Sequence, residues 1–216
     1  MDTRFEDLLT LNEREFLNSL DTPAAIQSFL DSTLYSPENF NRSSLRVLRE
    51  RSAHCLDGAL FAALCLRRLG YPPLVLDMFP DPGADDDHVL ALYRIDGCYG
   101  ALAKSNFSGL RQREPVYRSL RELVMSYFED FFNLRGQKTL RFYTPILRLA
   151  SFDRLGWMES DAGVDAVERK LLSLPRIPLI TPQMAARLSP VDPRSYQAGM
   201  LGVNQAGLYQ PDPDSG

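Results

Sequence analysis

The chain is poor in the residues that metal centres and disulfide frameworks require. Its 216 residues include three cysteines, Cys55, Cys65 and Cys98, and two histidines, His54 and His88. An odd, sparse cysteine set with no Cys-x-x-Cys pair argues against a disulfide-stapled fold and against a zinc ribbon, and the thiols are expected to be reduced. Positive charge is also scarce: 24 Lys and Arg stand against 28 Asp and Glu, with a pI near 5.3. That balance lacks the excess a phosphate backbone attracts, so no nucleic-acid partner is expected. Long apolar runs are missing as well. The longest, Ala59 to Leu66, falls far short of the roughly 20 residues that cross a bilayer. The acidic stretch from Met1 to Glu15 does not read as an export signal. A soluble, cytoplasmic protein without a membrane partner is expected, its oligomeric state left open. There is no internal repeat and no low-complexity block.

What is present is enough apolar side chain, 44% of residues, for one sizeable core, and the length favours a single domain. From Arg4 to Leu34, Phe5, Leu8, Leu9, Phe16, Leu17 and Leu20 recur at helical spacing, and Asp21-Thr22-Pro23 breaks the pattern before Ile26, Phe29 and Leu30. Ser43 or Ser44 is placed to cap a helix carrying Leu45, Val47 and Leu48. Cys55 to Leu69 is the most helical segment: Leu56, Ala59, Leu60, Ala63, Leu64 and Leu66 form a broad apolar face, and Gly70 with Pro72-Pro73 stops it. Leu74-Val75-Leu76 reads as a short buried strand. Val89 to Ile95 and Cys98 to Ser105 flank Asp96-Gly97, a dipeptide suited to a two-residue hairpin turn. Arg118 to Phe132 reads as an amphipathic helix, Leu140 to Phe152 as a strand region despite Pro145, and Asp161 to Leu172 as a further helix.

Chemistry concentrates on two residues. A cysteine opening a helix meets unpaired backbone N–H groups and the positive end of the helix dipole, which favour its thiolate. Cys55 holds that position. A base must take the thiol proton. His54 adjoins Cys55 in sequence, so its side chain diverges, and His88, expected at the start of a strand, is the better base. The run Arg49-Glu50-Arg51-Ser52-Ala53-His54-Cys55-Leu56-Asp57-Gly58, its continuation to Leu66-Arg67-Arg68-Leu69-Gly70, and Asp87-His88-Val89 entering a hairpin together resemble the transglutaminase-like superfamily. This resemblance covers roughly Arg49 to Phe107, about a quarter of the chain. It implies an α+β, papain- and transglutaminase-like fold in which N-terminal helices and a central core helix pack on an antiparallel sheet. It also implies Cys55 as nucleophile and His88 as base. An Asp on the strand after the histidine strand usually orients the imidazole in that family. With Asp96-Gly97 as a two-residue turn, Ile95 pairs with Cys98 and His88 with Ser105. Ala103 falls near the place of the family Asp. Register favours Ser105 as the orienter and chemistry favours Asn106; neither is a carboxylate.

The expected organisation is an N-terminal helical part over 1–48, a transglutaminase-like core over 49–160, a C-terminal helix and proline-rich extended segment over 161–209, and a disordered tail over 210–216. The expected function is cysteine-dependent acyl transfer or amide hydrolysis on a peptide, protein or small acyl substrate, that is, a hydrolase or acyltransferase without a cofactor. The alternative is a catalytically silent domain of the same fold used for binding or scaffolding, which the missing Asp motivates. Cys65 and Cys98 read as structural. Asp85-Asp86-Asp87 reads as a solvated loop, lacking the alternating spacing of a calcium loop, and no zinc set is recommended by the spacing of Cys55, His88 and an Asp. Arg111, Arg113, Arg118 and Arg121 read as an ion-paired helix face, and Tyr127, Phe128, Phe131 and Phe132 as core. Gly199, Gly202 and Gly207 of Ser195 to Tyr209 suit an extended segment lying over a cleft.

Overall fold

The computed structural model describes residues 3–210; the tail expected at 210–216 lies, from 211 on, outside the described residues. Three helices begin the chain: α1 Thr3–Asp7, α2 Leu11–Ser19 and α3 Pro23–Ser32. Their starts are set by side chains. Thr10 accepts from the Glu13 N–H while the Glu13 carboxylate accepts from the Thr10 N–H, a reciprocal cap, and Thr22 caps α3 ahead of Pro23. Strand β1 Leu34–Tyr35 pairs in parallel with β2 Ser52–Ala53, and α4 Ser44–Glu50 lies between them. Helix α5 Cys55–Arg68 follows, with Gly70 at φ 93° ending it.

The remaining strands build an antiparallel sheet ordered β6-β5-β4-β3-β7-β9, with β8 also on β3. They are β3 Leu74–Pro80, β4 His88–Ile95, β5 Cys98–Leu102, β6 Arg113–Tyr117, β7 Leu140–Tyr143, β8 Leu147–Arg148 and β9 Ile177–Pro178. Between β6 and β7 runs α6 Leu120–Met125; α7 Asp161–Ser173, α8 Pro182–Ala185 and α9 Pro193–Gly199 belong to the C-terminal part. The protein is therefore α+β with helices laid on an antiparallel sheet. Among the described residues no helix is long and apolar enough to cross a membrane.

Both faces of the central strands are buried, and the two-residue period of a strand assigns each side chain to one of them. Val75, Val89, Ala91, Tyr93 and Leu102 pack with α5 and the N-terminal helices. Leu74, Leu76, Met78, Leu90, Leu92, Ala101 and Ala103 pack with Leu123, Val124, Tyr127 and Phe131 on the other face. Fully buried Leu60, Phe61 and Leu66 anchor α5, each worth about 1.5–3 kcal/mol of burial.

The hairpin turn falls where Asp96-Gly97 predicts, with Ile95 opposite Cys98. β5 ends at Leu102, short of the expected Ser105, because the Gln27 side-chain amide takes over at Ala103: its Oε1 accepts from the Ala103 N–H at 3.1 Å and its Nε2 donates to the Ala103 carbonyl at 3.0 Å. The helix expected over 118–132 is regular only in α6. The chain then winds through turns that still place Tyr127, Phe128 and Phe131 on the sheet. Arg113 lies in strand β6, not on that helix. Pro145 splits the strand region expected over 140–152 into β7 and β8, and Leu149–Leu155 turns into a 3-10 helix.

Candidate functional site

Cys55, as the first residue of α5, opens onto a cleft of about 660 Å³. Its walls come from the loop after β1, the segment ahead of β4, α7 and the C-terminal segment. The cysteine is 7% exposed, and its Sγ stands 3.8 Å from the Asp87 carbonyl. On the sheet side, Asp77 of β3 and Val89 of β4 are paired in register and line the same cleft.

His88 does not join them. Met78 is its partner on β3, and Met78 belongs to the core on the face away from α5. The His88 ring, 4% exposed, hydrogen-bonds through Nε2 to the Leu110 carbonyl at 2.8 Å, beside residues of that far-side core. Asp87 and Val89, one residue either side, line the cysteine's cleft, so strand alternation turns the imidazole to the opposite side. The thiol–imidazole meeting expected from the sequence does not form. Ser105 Oγ accepts from the Phe107 N–H at 3.0 Å, which makes it a local turn cap, and the Asn106 side chain is bound to the C-terminal segment. On the α5 face the position beyond Leu102 is Lys104. Its Cβ packs where a Gly58 side chain would go, and its Nζ donates to the Leu30 carbonyl at 2.9 Å and to that of Thr33 at the end of α3.

Electrostatics oppose a resting thiolate. Burial, then the charges of Asp87, Asp86 and Asp77, push the Cys55 thiol well above its ordinary range, against a favourable backbone N–H at Val89. A helix N-terminus contributes about 0.3–1 kcal/mol in the other direction, less than one pKa unit, so desolvation and like charge win. Asp57, in the first turn of α5, is fully buried and accepts from the Arg42 N–H at 2.8 Å and the His54 N–H at 3.2 Å. Burial nevertheless lifts its carboxyl to about 7. Burial also raises Asp87 to about 7, Asp85 to about 6, and Asp77 and Asp86 above the usual carboxylate range. His54 lines the cleft beside Cys55, with Nε2 3.5 Å from Asp57 Oδ1; burial first and Arg42 second lower its pKa.

The C-terminal segment crosses this site. Asn106 Nδ2 donates to the Asn204 carbonyl at 3.0 Å and to the Gly207 carbonyl at 3.2 Å, and its Oδ1 accepts from the Asn204 N–H at 2.8 Å. Asn204 Nδ2 donates to the Tyr35 carbonyl at 2.9 Å. Gly207 lies so close to the Tyr35 ring that a Cβ there would come within 2.8 Å of it. Ala206 to Tyr209 thus line the cleft, whereas Ser195 to Gly199, expected to be extended, belongs to helix α9.

The cleft's most unusual residue escaped sequence reading. Asp77 is 1% exposed, and its Oδ1 has no hydrogen-bond partner. The signal was a carboxylate interrupting Leu74-Val75-Leu76-Asp77-Met78-Phe79, a run otherwise apolar throughout. Likewise Asp86, still exposed to solvent, and Asp87 line the cleft, and Asp85 accepts from the Thr139 hydroxyl at 2.9 Å, so the loop expected to be solvated is partly built into the junction to β4. Three of the four basic residues are engaged in the fold through their side chains: Arg111 with Asp31, Arg113 with Asp130 and over the Tyr127 ring, and Arg121 with the Leu179 carbonyl; Arg118 is exposed. Among the described residues no cluster of three or more His, Cys, Asp or Glu is arranged to hold a metal ion. No protein-family model and no curated protein matches the chain.

Proposed function

We propose that this chain is a binding domain on a papain- and transglutaminase-like α+β scaffold, and that Cys55 and His88 do not operate as a catalytic pair. One observation carries the reading: His88 lies on the sheet face away from Cys55, held by the Leu110 carbonyl. The scaffold assignment is supported by a cysteine opening a core helix packed on an antiparallel sheet with the expected Asp96-Gly97 hairpin. Two further features favour binding. The thiol is pushed up by burial and by neighbouring carboxylates, and the family's orienting position offers no acceptor at Ala103.

A second reading, cysteine-dependent acyl transfer or amide hydrolysis on a peptide, protein or small acyl substrate, is favoured by the opening of Cys55 onto a cleft that His54 also lines. Labelling with limiting iodoacetamide from pH 6 to 9, with the modified cysteine mapped by mass spectrometry, separates the two. Under the binding reading the half-exposed Cys98 reacts first, Cys55 is sluggish at neutral pH and Cys65 is silent, because thiolate fraction and access control the rate. Preferential modification of Cys55 near pH 7, abolished by His54→Ala, would replace binding by catalysis with His54 as the base.

A further inference from the structure

We infer that the cleft binds an organic cation, an ammonium or guanidinium group on an aliphatic stem, with its charge over Asp77 flanked by Asp86 and Asp87. The inference rests on reading the cleft as a binding site and names the ligand class. Carboxylates reach this cleft from separate parts of the fold: Glu38 after β1, Asp77 in β3, Asp86 and Asp87 ahead of β4, and Asp161, Asp165 and Glu168 in α7; His54 lines it too, and no lysine or arginine does. The outer ones have partners. Glu38 pairs with Arg42, Asp161 pairs with Arg46 and accepts from the Ser43 N–H, and Asp165 and Glu168 accept from Asn41 Nδ2 at 2.8 and 2.9 Å. Asp86 accepts from the Asp87 N–H at 3.0 Å.

Asp77 differs. It sits at the sheet floor, 1% exposed, with Oδ1 unpartnered. A buried carboxylate oxygen without a donor is costly, and a ligand that supplies the donor relieves that cost on binding. The nearby cation Arg176 acts on Asp77 and Asp87 through space, but it is exposed and its guanidinium lies over the Phe79 ring, 4.1 Å from the centroid. The carboxylates do not converge into a metal-ligand set among the described residues, which suits an extended cation better than a point ion. Cys55, Leu56 and Val89 offer apolar wall for methylene groups, and the Tyr35 ring an aromatic one. Burial, then the charge of Asp86, raises Asp87 to about 7, and burial raises Asp77 as well, so a cation seated beside them favours the ionised carboxylates and promotes proton release on binding.

Titration calorimetry on the full chain with spermidine, and with short lysine and arginine peptides, tests this at 50 and 300 mM NaCl. The expected result is one saturable site, weaker at the higher salt, releasing protons near pH 6.5 as read from the buffer dependence of the heat. Asp77→Asn and Asp87→Asn should each weaken binding at least tenfold, and Glu15→Gln on exposed α2 should change nothing. Asp87→Asn decides the matter if Asp77→Asn does not fold. Preference for spermidine identifies a free polyamine as the source, and preference for a peptide identifies a side chain of a partner. No saturable binding of any of these amines, binding in both Asp variants as tight as in the unsubstituted chain, or binding of MgCl₂ alone overturns the inference. The Cys55 labelling pattern is independent of these outcomes and judges the binding reading separately.

Discussion

Met78 and His88 stand directly opposite each other on adjacent strands, and that pairing turns the imidazole to the sheet face away from Cys55. The role that follows for His88 is structural. Replacing it with alanine leaves the Leu110 carbonyl without its donor and opens space in the far-side core. His88→Ala should therefore cost on the order of 2 kcal/mol in urea unfolding, while the iodoacetamide pH profile of Cys55 stays where it was. A profile shifted by His88→Ala would mean that the two groups communicate after all.

The same pairing explains what the sequence could and could not say. The helix of Cys55 was legible from its apolar face and its Gly70 stop, and the hairpin register from Asp96-Gly97, since both are local signals. The facing of His88 was not. Counting outward from the turn gave the observed register from Ile95–Cys98 as far as Ala91–Leu102, where the ladder ends before the expected His88–Ser105 pair; it could not tell which face α5 would cover, and a one-residue change of phase exchanges the faces entirely. Positions 89 and 104, which do face α5, carry Val89 and Lys104 instead of a base and its orienter. Asp77 was illegible for another reason: a burial decided by three-dimensional packing leaves only one odd residue in an apolar run.

Acid should stabilise this protein over a window where many proteins begin to lose stability. Asp57 and Asp87, raised to about 7, and Asp85, raised to about 6, bind protons in the folded state that they release in the unfolded chain, where carboxyls titrate near 4. Their contribution is fully present below pH 4 and is lost as pH rises through 6–7. His88 acts oppositely. Burial lowers it to about 4 from 6.5, so its contribution is lost as pH falls from 6.5 to 4. His54, also lowered by burial, adds to the opposing side, while Asp77 and Asp86, also raised, add to the carboxyl side, so the carboxyls outweigh the two imidazoles. Urea unfolding should show stability rising from pH 7.5 to pH 5, on the order of 2 kcal/mol, with Asp87→Asn flattening the slope. A flat or inverted slope in the unsubstituted chain would show these carboxylates to be solvated.

Gly58 carries a packing requirement that outweighs helix propensity. An exposed Gly→Ala change within a helix gains up to about 1 kcal/mol. Here a Cβ would fall 2.2 Å from Lys104 Cβ, an atom fixed to the backbone, and overpacking of that kind costs about 1–3 kcal/mol. Gly58→Ala should lower Tm despite improving propensity. The shift should shrink in the Gly58→Ala, Lys104→Gly double variant, measured against Lys104→Gly alone.

Asn106 holds the segment over the cleft through three hydrogen bonds, to the Asn204 carbonyl, the Asn204 N–H and the Gly207 carbonyl. These bonds lie near the surface, where each contributes about 0.5–1.5 kcal/mol net, and the segment's last described residues bury little apolar area of their own. Removing the Asn106 side chain should release the strap without unfolding the sheet, because the strap is at the low-stability end of the molecule. For Asn106→Ala the expected signature is faster hydrogen exchange confined to residues 204–209 and Tyr35, and several-fold faster iodoacetamide labelling of Cys55 at pH 9. Tm should fall by only a few degrees. Unchanged labelling with the strap demonstrably loosened would mean that access to the thiol is limited by α5 and the β4 backbone, not by the C-terminal segment.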